Sequence, residues 1–344
     1  MPSGNNDILL LKGHEVNALL VGREAETVLA VESAYRAHAR GESALPHSSF
    51  LRFPEEQQNR IIALPAYLGH EFNVAGIKWI ASFPDNIRHN LDRASAILIL
   101  NSSLTGRPEA IIEGSIISAK RTAASAALAA RYLHRDEGES RAGLVGTGVI
   151  NFEVARSLLA TRPALKTLVV FDIDAERALR FREKCAVEFG GVTVEVAGDL
   201  ETLLRGCPLV SIATTASQPY IADLSACAPG STILHVSLRD IAPEAILGCD
   251  NILDDIDHVC RAQTSVHLAE QLAGNRDFLR CTLGDVLEGR APARRDDESV
   301  AVFSPFGLGI LDLAVGSLVR ELAGSENRGT VIESFLPASW SASA

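Results

Sequence analysis

Aromatic residues make up only 5% of this 344-residue chain, and no stretch of it gathers lysine and arginine together. Binding to a phosphate backbone depends on such clustering, and the formal charge is −11, so nucleic acid is not an expected partner. An acidic surface chiefly favours solubility. No apolar run approaches the roughly 18 residues of a membrane span, and no basic segment followed by an apolar core opens the chain. A cytoplasmic protein with no membrane partner is therefore expected. Closely spaced cysteine pairs are missing too: Cys185, Cys207, Cys227, Cys249, Cys260 and Cys281 stand far apart without a C-x-x-C. No metal site is expected, and the thiols read as small buried apolar groups. Neither an internal repeat nor a Ser-His-Asp arrangement stands out.

What remains is 47% hydrophobic and 22% charged, the make-up of an ordinary α/β protein long enough for two domains. Residues 14–40 place Val16, Leu19 and Leu20, then Val28, Val31, Ala34 and Tyr35, at helical spacing, which predicts a helix pair. "RIIALPAYLG" and "VAGIKWIASF" read as antiparallel strands, and 95–113 as a hairpin turning at Thr105–Pro108. "ISAKRTAASAALAARYL" is alanine-rich and free of Gly and Pro, hence helical. The polar break "HRDEGESR" marks a boundary, so a first domain is expected over 1–135.

From 142 onward, strands alternate regularly with helices. This predicts a doubly wound parallel sheet over 140–300, a Rossmann domain, beside an α+β domain. "RAPARRDDES" reads as a charged linker. The strand and helix that follow, within 301–344, are expected to return to the first domain, with a loose tail after Ser325.

The stretch "LVGTGVINFEVARSLLA" resembles a dinucleotide loop. Gly146 permits the tight turn, and Gly148 lets the backbone of Gly146–Ile150 (with Thr147 and Val149 between) approach a pyrophosphate at the helix N-terminus. Asn151 occupies the third glycine position, which governs packing; a small shift of the helix is expected to accommodate it. Asp172 ends the next strand about 24 residues beyond Gly148, where a carboxylate grips ribose hydroxyls and repels a 2′-phosphate, so NAD is the expected cofactor. Asp174 reads as a helix N-cap. Thr214 and Thr215 close a later strand, where such folds pass beneath the cofactor.

"ILHVSLRD" ends the last strand of that run, which would place Asp240 beyond its carboxyl end as a candidate acid and base with a raised pKa. A solvated loop aspartate capping the helix at Pro243 is the plainer alternative. His235 could line the same site. Among the cations, Lys78 lies in an apolar run, an odd place for an ammonium unless it meets an anionic ligand. Arg52 is flanked by Leu51 and Phe53, which implies half-burial, and Arg121 begins a helix as either a site or a surface residue.

"GIKWIASFPDN", "LNSSLTGRPEAIIEGSIISAKRTAASAALAARYL", "VGTGVINFEVA", "HVSLRD" and "SPFGLGILDLAVGSLV" together resemble the ornithine cyclodeaminase/μ-crystallin family, in order and over nearly the whole chain. The resemblance implies a homodimer of a substrate and dimerisation domain joined to an NAD-binding domain. It implies that Arg52 and Lys78 bind a substrate carboxylate, that Arg121 touches cofactor and substrate, and that Asp240 carries the proton. Ser237, at the end of the same strand as Asp240, is a further candidate at the cofactor. The chain departs from typical cyclodeaminases at Arg93, where they have a small hydroxyl residue, at Arg239, where they have glycine, and at Glu244, where they have lysine. The two added arginines suit an amino-acid substrate with several carboxylates. The motifs look most like a branch that oxidises a tricarboxylate glutamate derivative with NAD+, releasing 2,3-diaminopropionate and 2-oxoglutarate for siderophore or peptide-antibiotic pathways. Cyclodeaminase or imino-acid reductase activity, and a non-catalytic NAD-dependent binder, are the competing readings.

Overall fold

A computed structural model describes residues 6–56, 58–135 and 140–338. The chain divides into two compact units, Met1–Arg121 with Leu308–Ala344, and Thr122–Gly307. Part of the polar break read as a boundary, residues 136–139, lies outside the described residues.

The first unit starts with β1 (Ile8–Leu11), α1 (Gly13–Leu20) and α2 (Glu24–Ala39). The apolar positions spaced for a helix pair are the ones buried, Val16, Leu19 and Leu20 on α1 and Val28, Val31, Ala34 and Tyr35 on α2. Then come β2 (Ser43–Ala44), β3 (Ser49–Arg52), β4 (Arg60–Leu68), β5 (Val74–Ser82), a 3-10 turn at Pro84–His89, β6 (Ala94–Ser102) and β7 (Pro108–Glu113). α3 (Gly114–Leu133) spans the division after Arg121.

In the second unit β8 (Arg141–Val145), α4 (Val149–Thr161), β9 (Thr167–Phe171), α5 (Ala175–Glu188), β10 (Thr193–Val196), α6 (Leu200–Gly206) and β11 (Leu209–Ile212) alternate. They are followed by β12 (Thr232–His235), α7 (Pro243–Leu247), β13 (Asp250–Leu253), α8 (Ile256–Val259) and α9 (Ser265–Ala273). β14 (Leu279–Thr282), α10 (Leu283–Leu287) and β15 (Ala301–Ser304) complete it. The first unit resumes with α11 (Gly309–Ser325) and β16 (Thr330–Ile332).

The second sheet has the order β10-β9-β8-β11-β12-β15-β13-β14, and every pairing in it is parallel. This is the expected doubly wound sheet, with its order reversing between β8 and β11, the place where such folds bind ligands. "RAPARRDDES" is not a free linker. Arg294 donates to the Leu133 carbonyl, the Thr232 hydroxyl and the Ser299 carbonyl, which ties the segment to the second unit.

The first sheet runs β16-β1-β7-β6-β5-β4-β2, with β3 also paired to β4; it is antiparallel except for β1 against β7. The tail is less loose than its composition implies, because β16 forms an outer strand with Ile332 paired to Ile8. α11 packs over β4, β5 and β6. It lies so close that a Cβ on Gly309 would stand 3.1 Å from the Leu64 carbonyl oxygen.

Candidate active site

Alternation along β5 puts Lys78 on the face that α11 covers, opposite Leu64 on β4 and Leu98 on β6. The ammonium is buried, with Nζ 2.8 Å from Oδ2 of Asp312 on α11 and 3.1 Å from the Ser118 hydroxyl on α3. Arg121, one turn further along α3, sets its Nε 3.1 Å from the other oxygen of Asp312. Burial and the neighbouring Arg121 pull the Lys78 pKa down to about 8, against the pull of Asp312 in the opposite direction. Two cations thus share one wholly buried carboxylate, and the surplus positive charge suits an anionic ligand.

Arg52 and Arg93 belong to the same unit, and neither pairs with a carboxylate among the described residues. Arg52 is exposed, not half-buried as its apolar neighbours imply, because β3 pairs only with β4 and the side chain lies against the Phe50 ring, 5.6 Å away. Arg93 is half-buried, and that burial pulls its pKa below the ordinary value. Sequence reading missed Arg60, which stands directly opposite Arg52 in the β3–β4 pairing. Its partner across β5 is Ser82, on the face that carries Lys78. Only the strand register reveals this, since nothing around Arg60 in the chain sets it apart.

In the second unit, β8 ends at Gly146, whose φ of +90° is open to glycine; a Cβ there would lie 2.5 Å from the Ala213 carbonyl oxygen. Gly148 is the N-cap of α4, has no side chain to cap the helix, and leaves open space where a Cβ would be. The first N–H groups of a thirteen-residue helix therefore point outward uncapped, as pyrophosphate binding requires. Asn151 does more than fit. Its buried amide donates to the carbonyls of Val145 (2.8 Å) and Gly146 (2.7 Å) and accepts from the Ser211 hydroxyl (2.7 Å). Instead of displacing the helix, it staples α4 to the ends of β8 and β11.

Asp172 follows β9 and accepts from the Thr147 N–H (3.0 Å), the Thr147 hydroxyl (2.6 Å) and the Asp174 N–H (3.1 Å). Burial alone would raise its pKa, but these bonds hold it below the usual carboxylate range. It is ionised at neutral pH and fixes the glycine loop from beneath. Ile173, beside it, is 95% exposed, an apolar surface next to a carboxylate and a bare helix end. Carboxylate, positive-φ glycine, uncapped helix and exposed apolar side chain together fit a dinucleotide. Val149 and Ile150 open α4, Val149 being exposed, and Asp174 caps α5 as expected. Thr215 is exposed.

Asp240, five residues beyond the end of β12, is wholly buried. Its carboxylate accepts from the hydroxyls of Thr214 and Ser237, and His235 Nε2 lies 3.2 Å away. Burial would raise its pKa, yet the bonds with His235, Ser237 and Thr214 outweigh it and hold the group below the usual carboxylate range. The sequence-based expectation of a raised pKa is corrected: this is a caged carboxylate, not one against a bare apolar wall. Nor is it a solvated cap, because Ala242, the residue preceding Pro243, is the N-cap of α7. Thr214 and Ser237, expected at the cofactor, spend their hydroxyls on Asp240. Arg239 donates to the Ala262 carbonyl (2.6 Å).

Leu238 and Tyr220 also escaped the sequence reading. Leu238 has φ +70°, a strained conformation for a branched side chain, between Ser237 and the Arg239–Asp240 pair. Tyr220 donates its main-chain N–H to the Asp240 carbonyl at 2.9 Å; burial and the Asp240 charge push its phenol pKa upward. None of the six cysteines forms a disulfide among the described residues, and five of them are buried. Among the described residues no His, Cys, Asp and Glu side chains group as metal ligands, and no helix is long and apolar enough to cross a membrane.

A parallel doubly wound sheet with this loop and acidic strand end defines an NAD-dependent oxidoreductase. The sequence profile of the ornithine cyclodeaminase/mu-crystallin family matches residues 7–327, and the chain belongs to that family. It is 27% identical over 337 residues to the N-((2S)-2-amino-2-carboxyethyl)-L-glutamate dehydrogenase of Staphylococcus aureus, covering 96% of this chain and 100% of that one. The crystal structure of CmnK superposes with a TM-score of 0.87 at 30% identity, over 97% of this chain and 100% of CmnK. An archaeal alanine dehydrogenase dimer with bound NAD superposes with a TM-score of 0.84 at 26% identity, over 95% and 99% of the two chains.

Proposed function

We propose that this enzyme oxidises N-[(2S)-2-amino-2-carboxyethyl]-L-glutamate with NAD+ and hydrolyses the resulting imine to L-2,3-diaminopropionate and 2-oxoglutarate. The observation that carries the reading is the surplus of cations in the first unit. Lys78 and Arg121 share the single carboxylate of Asp312, and Arg52 and Arg93 have no acidic partner among the described residues. A substrate with three carboxylates supplies the missing negative charge, and the Staphylococcus aureus relative is named for this reaction.

In this reading Lys78, Arg121, Arg52 and Arg93 of the first unit bind the carboxylates of the substrate. NAD+, when bound, would supply the hydride acceptor for the glutamate Cα–H. Asp240 takes the proton of the secondary amine as that bond is oxidised and returns it to the imine nitrogen; it then takes a proton from the water that attacks the imine carbon and passes it to the departing diamine. Its low pKa keeps it ionised and ready to accept. The uncapped start of α4 and Asp172 hold the pyrophosphate and ribose.

A substrate binding and dimerisation role falls to the first unit and cofactor binding to the second, in a homodimer placed in the cytoplasm. The occupant proposed for the outer sheet face of the first unit is a second copy of the chain. Ala63, Trp79 and Ile97 align across β4, β5 and β6, next to a row of Pro65, Ile77 and Ile99. Trp79 is 42% exposed and Ile97 47% exposed, so an apolar surface faces outward. The alanine dehydrogenase neighbour is a dimer. Against a cyclodeaminase reading, Arg93 and Arg239 would meet ornithine's ammonium with like charge.

A panel of amino acids and N-(carboxyalkyl) amino acids with NAD+, read at about 340 nm where NADH absorbs, tests the assignment. Net NADH from the glutamate derivative supports it; net NADH only from alanine, or redox-neutral deamination of ornithine, refutes it.

A further inference from the structure

The ring of His235 ends β12 with no exposure to solvent, and it has groups at both nitrogens. Ser304 Oγ, at the end of β15, lies 3.4 Å from Nδ1. Asp240 approaches Nε2 twice: its carboxylate Oδ2 stands at 3.2 Å, and its main-chain N–H points at the same nitrogen, also at 3.2 Å. Nε2 holds either a proton or a lone pair. With the lone pair it accepts the main-chain N–H; with the proton it donates to the carboxylate. One proton therefore decides which part of Asp240 the ring binds.

Ser304, His235 and Asp240 thus contact one another in turn, with the serine and the aspartate at opposite nitrogens of the ring. Ser304 holds the ring, donating to Nδ1 when that atom is bare and accepting when it carries hydrogen. The other groups at the Asp240 carboxylate are the hydroxyls of Thr214 and Ser237, which do not titrate, and Tyr220, whose phenol is pushed toward its protonated form. Among the described residues at the Asp240 carboxylate, His235 is thus the one whose ring nitrogen can carry or accept a proton across the contact.

We propose that His235 is a positioning residue for Asp240 and shares one proton with its carboxylate across the Nε2–Oδ2 contact. In the step, the Oδ2–H bond breaks as the Nε2–H bond forms, giving carboxylate and imidazolium from acid and imidazole. Net charge is unchanged, and no outside reactant is needed. A proton delivered to Asp240 is held by the pair, and Asp240 stays oriented while it is held. The catalytic meaning rests on the proton role proposed for Asp240, but the pair itself can be measured without substrate.

The test is a pH titration of the full-length protein carrying 15N-labelled histidine and 13Cγ-labelled aspartate, with His235→Gln and Asp240→Asn used for assignment. The expected result is that both groups change over the same pH step. Asp240→Asn then moves the His235 midpoint by about one pH unit or more, and His235→Gln moves the Asp240 midpoint similarly. Glutamine keeps an N–H donor near the place of Nε2, and the Asp240→Asn arm decides the matter alone if His235→Gln does not fold. Midpoints that stay in place in both variants, or an absence of any titration by His235, overturn the proposal. In turnover, His235→Gln should lower kcat about tenfold and leave KM within about twofold. If the wild-type protein forms no NADH from the glutamate derivative, the proposed reaction fails while the titration result stands.

Discussion

Lys78 Nζ and Asp312 Oδ2 meet at 2.8 Å where neither side chain reaches solvent, and Arg121 takes the other oxygen of the same carboxylate. Partners more than 190 residues apart in the chain thus form one buried cluster of net positive charge. An ammonium held there at such a desolvation cost persists only with a partner close by. The carboxylate of α11 keeps Lys78 charged and in place, while the surplus charge is left for a ligand.

This sets a pH dependence. The Lys78 pKa is lowered to about 8, so the free enzyme loses its ammonium as pH rises through that value; in the proposed reading it loses with it part of its hold on a substrate carboxylate. kcat/KM, which reports the free enzyme, should fall above pH 8 by up to about tenfold per unit. In Lys78→Arg the limb should vanish, because a guanidinium does not titrate in this range. A limb that persists unchanged in Lys78→Arg would assign it to another group.

Replacing Asn151 with glycine restores the common glycine pattern and should nevertheless weaken the protein. The variant loses bonds to the Val145 and Gly146 carbonyls, strands the Ser211 hydroxyl, and adds a glycine to the first turn of α4. A loss of about 2–4 kcal/mol in urea unfolding is expected. Equal stability would show that the amide staple is dispensable.

Asp172 anchors Thr147, and in the proposed reading it also faces the ribose. Asp172→Ala should weaken NAD+ binding by about 10- to 100-fold, as the loss of a charged hydrogen-bond acceptor implies. It should weaken NADP+ binding less, because repulsion of the 2′-phosphate goes with it. Isothermal titration with both cofactors measures the two arms; an unchanged NAD+ affinity removes Asp172 from the site.

On the outer sheet face, Ile97→Lys should split the proposed homodimer. Sedimentation velocity on the wild type should give about twice the 36.7 kDa chain mass, and on the variant the chain mass itself. A wild type that sediments as a monomer would leave that apolar face without its proposed occupant.

Much of this architecture was legible in the chain. The helix spacing in α2, the Gly/Pro punctuation of the β6–β7 hairpin and the strand–helix alternation after Arg141 are local signals, and each gave its element. Lys78 announced itself as an ammonium in an apolar run. Its partner did not, since Asp312 sits in the first turn of α11 where acidic residues are common. The direction of the Asp240 shift was misread because three of its hydrogen-bond partners come from two strand ends, and their convergence is a matter of sheet order. Asn151 looked like a defect because the glycine pattern records shape and not the bonds an amide can make. The pairing of the tail through β16 depends on a strand more than 300 residues away.

The most direct test of the central claim is a product balance for the purified enzyme with N-[(2S)-2-amino-2-carboxyethyl]-L-glutamate and NAD+. NADH is followed by absorbance, and 2-oxoglutarate and 2,3-diaminopropionate by mass spectrometry. The account predicts the three products in equal amounts from the wild type and none from Asp240→Asn, which still binds NAD+. NADH without 2,3-diaminopropionate, or full turnover by Asp240→Asn, would contradict it.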